Sequence, residues 1–430
     1  MINSEIYYKN LQKKYSRSIS LGLSRVKKAL ILLNSPHLKL KRPINIIGSD
    51  GKFTCVKALQ YFLQANGNTA TANFSPHLYD LRTRFWLKNR FISLKEIKKY
   101  EKKISKLKIK LSLFEVLTLV HILAASKENA DFSLQEAGLL FKGDASRVWD
   151  KPFIQICTNL NKQHLEWVYP KTINEICRQK VGYMSNNTNI YIGKQKPKVL
   201  RIVKKILKKN KSNITYPSSW KIINKKKKLF YKDNKNLIKI NSNYIHSKGL
   251  IDNLGLAIKI ALDLNIKSKI IQKTIPKIKF EGRLDYIKKG KLRKYLNKNE
   301  ALLLDGAHSN ASAQNLYSYL KTLKGPIYGV WAMQKNKMPS QFLKNFQGVF
   351  KKIITMNIDG EPNSCTAEDL KIIAIKRGYS VDKAKNIRDA FKKLSSNKAK
   401  VAPPGEPTFA KSAILTCEEG RRGCENRAWP

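Results

Sequence analysis

Apolar positions along this chain fall into short strand-like runs that alternate with helical faces. Ile44, Ile46 and Ile47 make such a run. It breaks at Gly48, and Val56, Leu59, Phe62 and Leu63 then recur on one helical face until Asn66-Gly67 supplies a stop. Upstream, Val26, Ala29, Leu30 and Leu33 form another helix face, ended by Asn34-Ser35-Pro36. Downstream the pattern predicts a helix over 114–125, a short strand over 132–134, a strand over 153–157 and a helix over 254–264. Alternation of this kind argues for a parallel sheet covered on both faces, so the first part reads as a doubly wound α/β domain.

From 265 to 298 the chain turns polar and lysine-rich around Phe280-Glu281-Gly282-Arg283, in the manner of a linker. A second α/β pattern follows, with strands expected over 301–304, 327–331 and 353–356 and helices over 312–323 and 367–377. The expected layout is a larger α/β domain over 1–279, a linker over 280–299, and a smaller, Rossmann-like α/β domain over 300–400. Two α/β units meeting at a cleft are a common enzyme arrangement. Residues 401–430 differ from the rest: four basic residues (Lys411, Arg421, Arg422, Arg427) balance four acids (Glu406, Glu418, Glu419, Glu425). Pro403-Pro404-Gly405 opens this segment and no periodicity follows, so it is expected to be poorly ordered and to lack a closing strand.

Charge adds an alternative. The 430 residues include 84 Lys and Arg against 30 Asp and Glu, a net charge of +54, which invites a nucleic-acid partner through phosphate neutralisation. The lysines are dispersed among Ile, Leu and Asn, however, without an aromatic single-strand platform, so a solvated basic surface with no specific nucleic acid is the plainer expectation. Six cysteines show no Cys-x-x-Cys pair, which points to reduced thiols rather than a zinc site or disulfide framework. No apolar run approaches the roughly 18 residues that span a bilayer, and the N-terminus is too polar for a secretory signal. A soluble cytoplasmic protein is expected.

The break after Ile47 carries chemistry. Gly48-Ser49-Asp50-Gly51-Lys52-Phe53-Thr54 joins a strand to a helix. Backbone N–H groups at a helix N-terminus face a polyanion, a Lys ammonium neutralises charge, and a hydroxyl can hold Mg²⁺. The common Gly-x-x-x-x-Gly-Lys-Ser/Thr spacing is not met, so the loop needs its context. Further polar clusters fall where strands should end: Ser75-Pro76-His77-Leu78, Glu136, Thr158-Asn159 with His164, Lys180, Arg283 and Asp305-Gly306-Ala307-His308.

In this order the pieces resemble the folylpolyglutamate synthase and dihydrofolate synthase family, relatives of the Mur ligases, from about Leu21 to about Ala390. The family's loop reads Gly-Thr-Asn-Gly-Lys-Gly-Ser, which residues 48–54 match with substitutions. Phe74 to Leu78, followed by Arg84, resembles Thr-Ser-Pro-His-Leu, and Phe114 to Thr118, with Glu115, resembles Phe-Glu-x-Leu-Thr. Glu136 to Leu139 and Gly143 to Ser146, with Asp144, are similar to Glu-x-Gly-Leu-Gly-Gly-Arg-Leu-Asp-Ala-Thr-Asn. Ile156 to Asn159 with His164 is similar to Ile-Thr-Asn-Ile-x-x-Asp-His, and Glu175 to Gly182 to Glu-Ile-Ala-x-Glu-Lys-Ala-Gly. Asn253, Gly282-Arg283 and Leu304 to His308 suit the family's nucleotide-contacting Asn, its Pro-Gly-Arg and its Leu-Asp-Gly-Ala-His. Glu361 to Asn363 and Ala367 to Leu370 also fit its second domain.

What the resemblance implies is an ATP-dependent ligase joining L-glutamate to dihydropteroate or a reduced folate through an acyl phosphate, working as a monomer with Mg²⁺. Gly48, Ser49, Asp50, Gly51, Lys52 and Thr54 would hold the phosphates, with Asn253, Arg283 and Asp305 also contacting ATP. Thr54, Ser75, Glu136 and His164 would be metal ligands, oxygen-rich as Mg²⁺ prefers apart from the imidazole. Lys180 matches a lysine that is carbamylated in relatives, and His308 would sit near the γ-phosphate. His77, Arg84, Glu115 and Asp144 would lie on the substrate side, Asp144 by the pterin pocket. Closure of the two domains would assemble the site.

Departures from the pattern leave a catalytically impaired member as an alternative. Phe53 replaces a loop glycine, Leu140-Phe141-Lys142 replaces Gly-Gly-Arg, Gln163 replaces the Asp before His164, and Ser309 replaces Asn after His308.

Overall fold

The computed structural model describes residues 2–16, 21–77, 80–225, 228–241, 247–297, 300–399 and 411–416. The chain divides into two units, one of Met1–Asn243 with Leu250–Lys279 and one of Tyr244–Gly249 with Phe280–Pro430. No helix among the described residues is long and apolar enough to cross a membrane.

The first unit opens with α1 (Ile2–Lys14) and α2 (Ser24–Leu32), then β1 (Pro43–Ile47), α3 (Lys52–Ala65) and β2 (Ala70–Asn73). Next come β3 (Phe85–Leu87), β4 (Arg90–Phe91), α4 (Leu94–Ser105), α5 (Leu113–Ala125), β5 (Phe132–Glu136) and β6 (Ile154–Cys157). The series continues with α6 (Ile173–Val181), β7 (Asn189–Ile192), α7 (Pro197–Leu207), β8 (Asn213–Thr215), β9 (Lys221–Lys225), β10 (Lys228–Lys232), β11 (Leu237–Ile240), α8 (Lys248–Asp263) and α9 (Ser268–Thr274). Eight strands form one sheet in the order β4-β3-β2-β5-β1-β6-β7-β8. From β2 to β8 neighbours run parallel, while β3 and β4 form an antiparallel edge.

Strands β1, β2, β5 and β6 are buried along their whole length. That is what helices on both faces of a parallel sheet impose. One core joins α1, α2, α4 and α5 to Phe85 and Leu87, and another joins Ile47, Cys157, Ile190 and Ile192 to Cys177, Val181, Val199 and Val203. Local sequence sets the helix starts: Ser93 with Glu96 and Ser112 with Glu115 form capping boxes, each satisfying orphan N–H groups reciprocally. By contrast α3 has Gly51 at its N-cap and no side-chain cap. Strands β9 to β11 make a separate antiparallel sheet in which Tyr231 stacks on Trp220.

The second unit contains β12 (Asp285–Tyr286), β13 (Ala301–Asp305), α10 (Asn310–Leu320), β14 (Ile327–Trp331), α11 (Pro339–Lys344), β15 (Phe350–Thr355), α12 (Ala367–Ile375), β16 (Val381–Lys383), α13 (Ile387–Ala399) and β17 (Lys411–Thr416). Its six strands run β12-β13-β17-β14-β15-β16, all parallel except the edge strand β12. Leu303, Ala313, Leu316, Leu320, Phe342, Phe346, Ile353, Leu370 and Ala374 fill its core.

Three sequence readings change here. Helix α8 starts at Lys248 rather than Leu254, because Gly249, Asp252 and Asn253 interrupt the apolar period without ending the helix. Part of the segment read as linker is built into the second unit, since Asp285 and Tyr286 pair with Leu304 and Leu303. Two residues are too few to show an alternating pattern. A closing strand does follow Lys400: β17 inserts between β13 and β14. Six residues without a flanking helical pattern give too weak a period to stand out. The rest of the atypical segment, 400–410 and 417–430, lies outside the described residues, as does Leu78.

Candidate functional site

Four adjacent parallel strands, β2, β5, β1 and β6, bring their carboxyl ends to one edge of the first sheet. The register sets Ile46 beside Glu136 and Ile47 beside Cys157, so each strand releases its polar cluster at the same level. Ser75, Glu136, Gly48 to Gly51 and Thr158-Asn159 are thereby gathered where open α/β sheets bind ligands.

The loop after β1 is shaped by close approach. A β-carbon on Gly48 would lie 1.9 Å from Thr158 Oγ1, and one on Gly51, at φ 90°, 2.1 Å from Asn253 Nδ2. Both positions therefore require glycine. The Asn159 carbonyl accepts from the N–H groups of Ser49 (2.8 Å) and Asp50 (3.3 Å), while Ser49 Oγ donates to the Asn161 carbonyl (3.3 Å). Asp50 accepts from Asn161 Nδ2 at 2.6 Å and Gln163 Nε2 at 2.9 Å. Lys52 Nζ donates to the Gly48 and Ser49 carbonyls, both at 3.2 Å, so its ammonium lies over the loop.

Lys180, carried by α6, reaches the same loop. The side chain is buried, and its Nζ donates to the carbonyls of Gly48 (2.9 Å) and Leu139. Burial and then the nearby Lys52 ammonium lower its pKa to about 7, because a second positive charge in a desolvated site is disfavoured. Leu139 is held from the other side by Asp144. That carboxylate accepts from the N–H groups of Gly138 (2.8 Å), Leu139 (3.1 Å) and Ser146 (2.9 Å) and from Ser146 Oγ (2.6 Å). A chain of contacts thus runs from the Gly48 carbonyl through Lys180 and Leu139 to Asp144.

On the β2 side, the buried Glu136 carboxylate accepts from the Ser75 N–H at 2.9 Å, and Ser75 Oγ accepts from Arg84 at 3.1 Å. Thr54 is buried in the first turn of α3. The Phe53 ring packs against Phe74, 5.5 Å between centroids, so it fastens α3 to the segment entering Ser75. His164 occupies a left-handed conformation (φ 62°) at the start of a short 3-10 turn.

The remaining sequence candidates have partners of their own. His77 is buried, edge-on to Tyr8 of α1 and 3.8 Å from Glu5. Glu115 completes the cap of α5 and accepts from Arg25 of α2 at 2.8 Å. In the second unit, Asp305 at the end of β13 accepts from the N–H groups of Leu284 and Ala307, both at 2.8 Å. Burial raises its pKa, while the Arg283 guanidinium opposes the shift. Arg283 lies against Gly306, where a β-carbon would come within 2.2 Å of its Nη1, and His308 Nδ1 is 2.8 Å from the Gly306 carbonyl.

Sequence patterns do not single out Asn161 or Leu139, although both shape the loop. Asn161 contacts it through backbone and amide, and its one signal is its place just after Thr158-Asn159. Leu139 contributes a carbonyl, which no side-chain pattern reveals. Among the described residues no group of three or more His, Cys, Asp and Glu is placed to hold a metal ion.

No protein-family model matches the chain. Dihydrofolate synthetase of Saccharomyces cerevisiae is 24% identical over 392 residues, covering 84% of this chain and 88% of that protein. Dihydrofolate synthase/folylpolyglutamate synthase of Escherichia coli is 26% identical over 194 residues, 43% of each. Among solved structures, Mycobacterium tuberculosis folylpolyglutamate synthase complexed with ADP and AMPPCP superposes with a TM-score of 0.84 at 20% identity, covering 97% of this chain and 96% of that one. The Yersinia pestis bifunctional folylpolyglutamate synthase/dihydrofolate synthase complexed with AMPPNP and Mn ion gives 0.80 at 18% identity, covering 97% and 95%. The resemblance carried by the motifs and the two-part α/β fold are both borne out.

Proposed function

We propose that this chain, which has the fold of the folylpolyglutamate synthases and is related in sequence to dihydrofolate synthetase, is an ATP-dependent carboxylate-amine ligase. It joins L-glutamate to dihydropteroate, a reduced folate, or both, as a cytoplasmic monomer. The observation that carries this reading is the loop 48–51 closed over by Asn253 and Lys180 at the carboxyl ends of β1, β2, β5 and β6.

A carboxylate is a poor electrophile. Its oxygen attacks the γ-phosphorus of ATP, ADP leaves, and the resulting acyl phosphate is captured by the glutamate amine, which loses a proton as inorganic phosphate departs. Each step brings anions together, so the protein must supply positive charge and dipoles and exclude water. Lys52 and the N-terminus of α3, which no side chain caps, supply both for the phosphates. The Asn253 carboxamide packs so close to Gly51 that no side chain fits there.

The residues present fit Mg²⁺ through the chemistry of their donors. Thr54 and Ser75 offer hydroxyl oxygens, Glu136 a carboxylate and His164 an imidazole, the first three being the hard ligands this cation prefers. Bound there, Mg²⁺ would screen the phosphate oxygens. Lys180, with its pKa lowered to about 7, presents near neutral pH a sizeable share of the neutral amine that carbamylation requires. Arg283 and Asp305 are assigned to ATP, His308 to the γ-phosphate, and His77, Arg84, Glu115 and Asp144 to the substrate side. Of these last four, Arg84 donates to Ser75 Oγ, whereas Glu115 and Asp144 also hold backbone N–H groups.

Purified protein with ATP, Mg²⁺, L-glutamate and either dihydropteroate or a reduced folate is expected to release phosphate only when all components are present. Lys52→Ala should abolish the release. Release without glutamate, or none with any pteridine acid, refutes the reading.

A further inference from the structure

Two departures from the family pattern meet in space. Where the related loop carries Asn this chain has Asp50, and where the related segment carries Asp before its His this chain has Gln163. Gln163 Nε2 donates to Asp50 Oδ1 at 2.9 Å. Amide and carboxylate have therefore exchanged places relative to the motif, at two positions that touch.

The bond is one of several that fasten the 161–164 turn to the phosphate loop. Asn161 Nδ2 donates to Asp50 Oδ2 at 2.6 Å, the Asn161 N–H donates to Ser49 Oγ at 3.2 Å, and the Gln163 N–H closes the turn on the Asn161 carbonyl at 2.8 Å. The next residue, His164, is held at φ 62°, which an L-residue keeps only when its surroundings enforce it. Both carboxylate oxygens of Asp50 are engaged by amide donors on this turn. An acid within a phosphate loop repels the phosphates it should admit, and these donors take up its charge.

We propose that Asp50 and Gln163 are a compensated pair of positioning residues that fixes His164 relative to the loop; Phe53 and the other departures are separate from it. The role of His164 and the use of ADP with Mg²⁺ as probe rest on the ligase reading. The pair itself is measurable without substrate.

The test is a cycle of isosteric changes: D50N, Q163E and D50N/Q163E. Q163E sets two carboxylates against each other. In the double variant the introduced asparagine offers its oxygen to Asn161 and its amide to the introduced glutamate, so the contact re-forms with donor and acceptor exchanged. Thermal unfolding and calorimetric titration with ADP over a range of Mg²⁺ concentrations are the readouts. Q163E should weaken ADP binding about tenfold and raise the Mg²⁺ needed for half-saturation, and the double variant should return both to within about threefold of the natural chain. A pair that only supported the fold would move the melting temperature and leave the Mg²⁺ dependence alone. D50N, in which both partners are neutral, should fold and lose about threefold, which keeps the test decisive if Q163E fails to fold. The proposal is overturned if the double variant is as impaired as the two single effects combined, or if D50N matches the natural chain in both readouts. Absence of ligase activity with every pteridine would sink the proposed function and leave the outcome of this cycle standing.

Discussion

Replacing Gly51 by alanine tests the geometry of the phosphate loop most directly. The residue sits at φ 90°, where a side chain costs roughly 1–2 kcal/mol. Its new β-carbon would lie 2.1, 2.4 and 2.5 Å from Nδ2, Cγ and Oδ1 of Asn253, so the whole carboxamide must withdraw. Asn253 is only 8% exposed, and displacing its amide costs about another 1–2 kcal/mol. Together these predict a loss of about 2–4 kcal/mol, or roughly 5–15 °C in melting temperature for a unit of this size. Scanning calorimetry on Gly51→Ala, Asn253→Ala and the double variant separates the two contributions. In the Asn253→Ala background the alanine at position 51 should cost only the backbone part, about half the original loss. Equal losses in both backgrounds, or a single variant melting within about 1 °C of the natural chain, would refute the close approach.

Three further outcomes follow from buried charge and polarity. Asp144→Ala leaves the N–H groups of Gly138, Leu139 and Ser146 without their acceptor; limited proteolysis should open the 138–146 loop, with stability falling by about 2–4 kcal/mol. Burial lowers the pKa of His121 to about 3, so below pH 6.5 the unfolded chain takes a proton that the folded chain refuses. Stability should then decline as pH falls from 6.5 to 3 by up to about 1.4 kcal/mol per unit, and His121→Gln should flatten that limb of a denaturant series. Lys180, lowered from 10.5 to about 7, has the same sign in a higher window: the unfolded chain keeps its proton while the folded chain releases it. Stability should rise with pH from 7 to 10.5, and Lys180→Met should remove the rise.

How far the sequence discloses all this depends on the range of the interaction. The run Ile44 to Ile47, its glycine break and the face of Val56, Leu59 and Phe62 are legible because strand, loop and helix are local patterns. The helix from Leu113 is equally plain, its Ser112 and Glu115 cap being a three-residue signal. Strand β2, Ala-Thr-Ala-Asn, is too weakly apolar to announce itself, and β9 to β11 hide among lysines that read as solvated surface. Contacts such as Lys180 to Gly48 or Asp50 to Gln163 join residues more than a hundred positions apart, and a single sequence holds no record of them. Asp144 shows the limit from the other side: an acid at a motif position suggests a pocket, whereas its four hydrogen bonds described above shape backbone or engage Ser146.

Strand β17 lies between β13 and β14 although, among the described residues, it is the last strand in sequence. During synthesis on a ribosome, its two flanking strands emerge long before their shared neighbour exists. Until residues 411–416 arrive, both present open edges to the cell, the condition in which chains pair with strangers. A nascent chain stalled within α13 should thus bind chaperones that ignore the finished protein. Emergence of residues 411–416 from the exit tunnel becomes the event that commits the second unit to its fold.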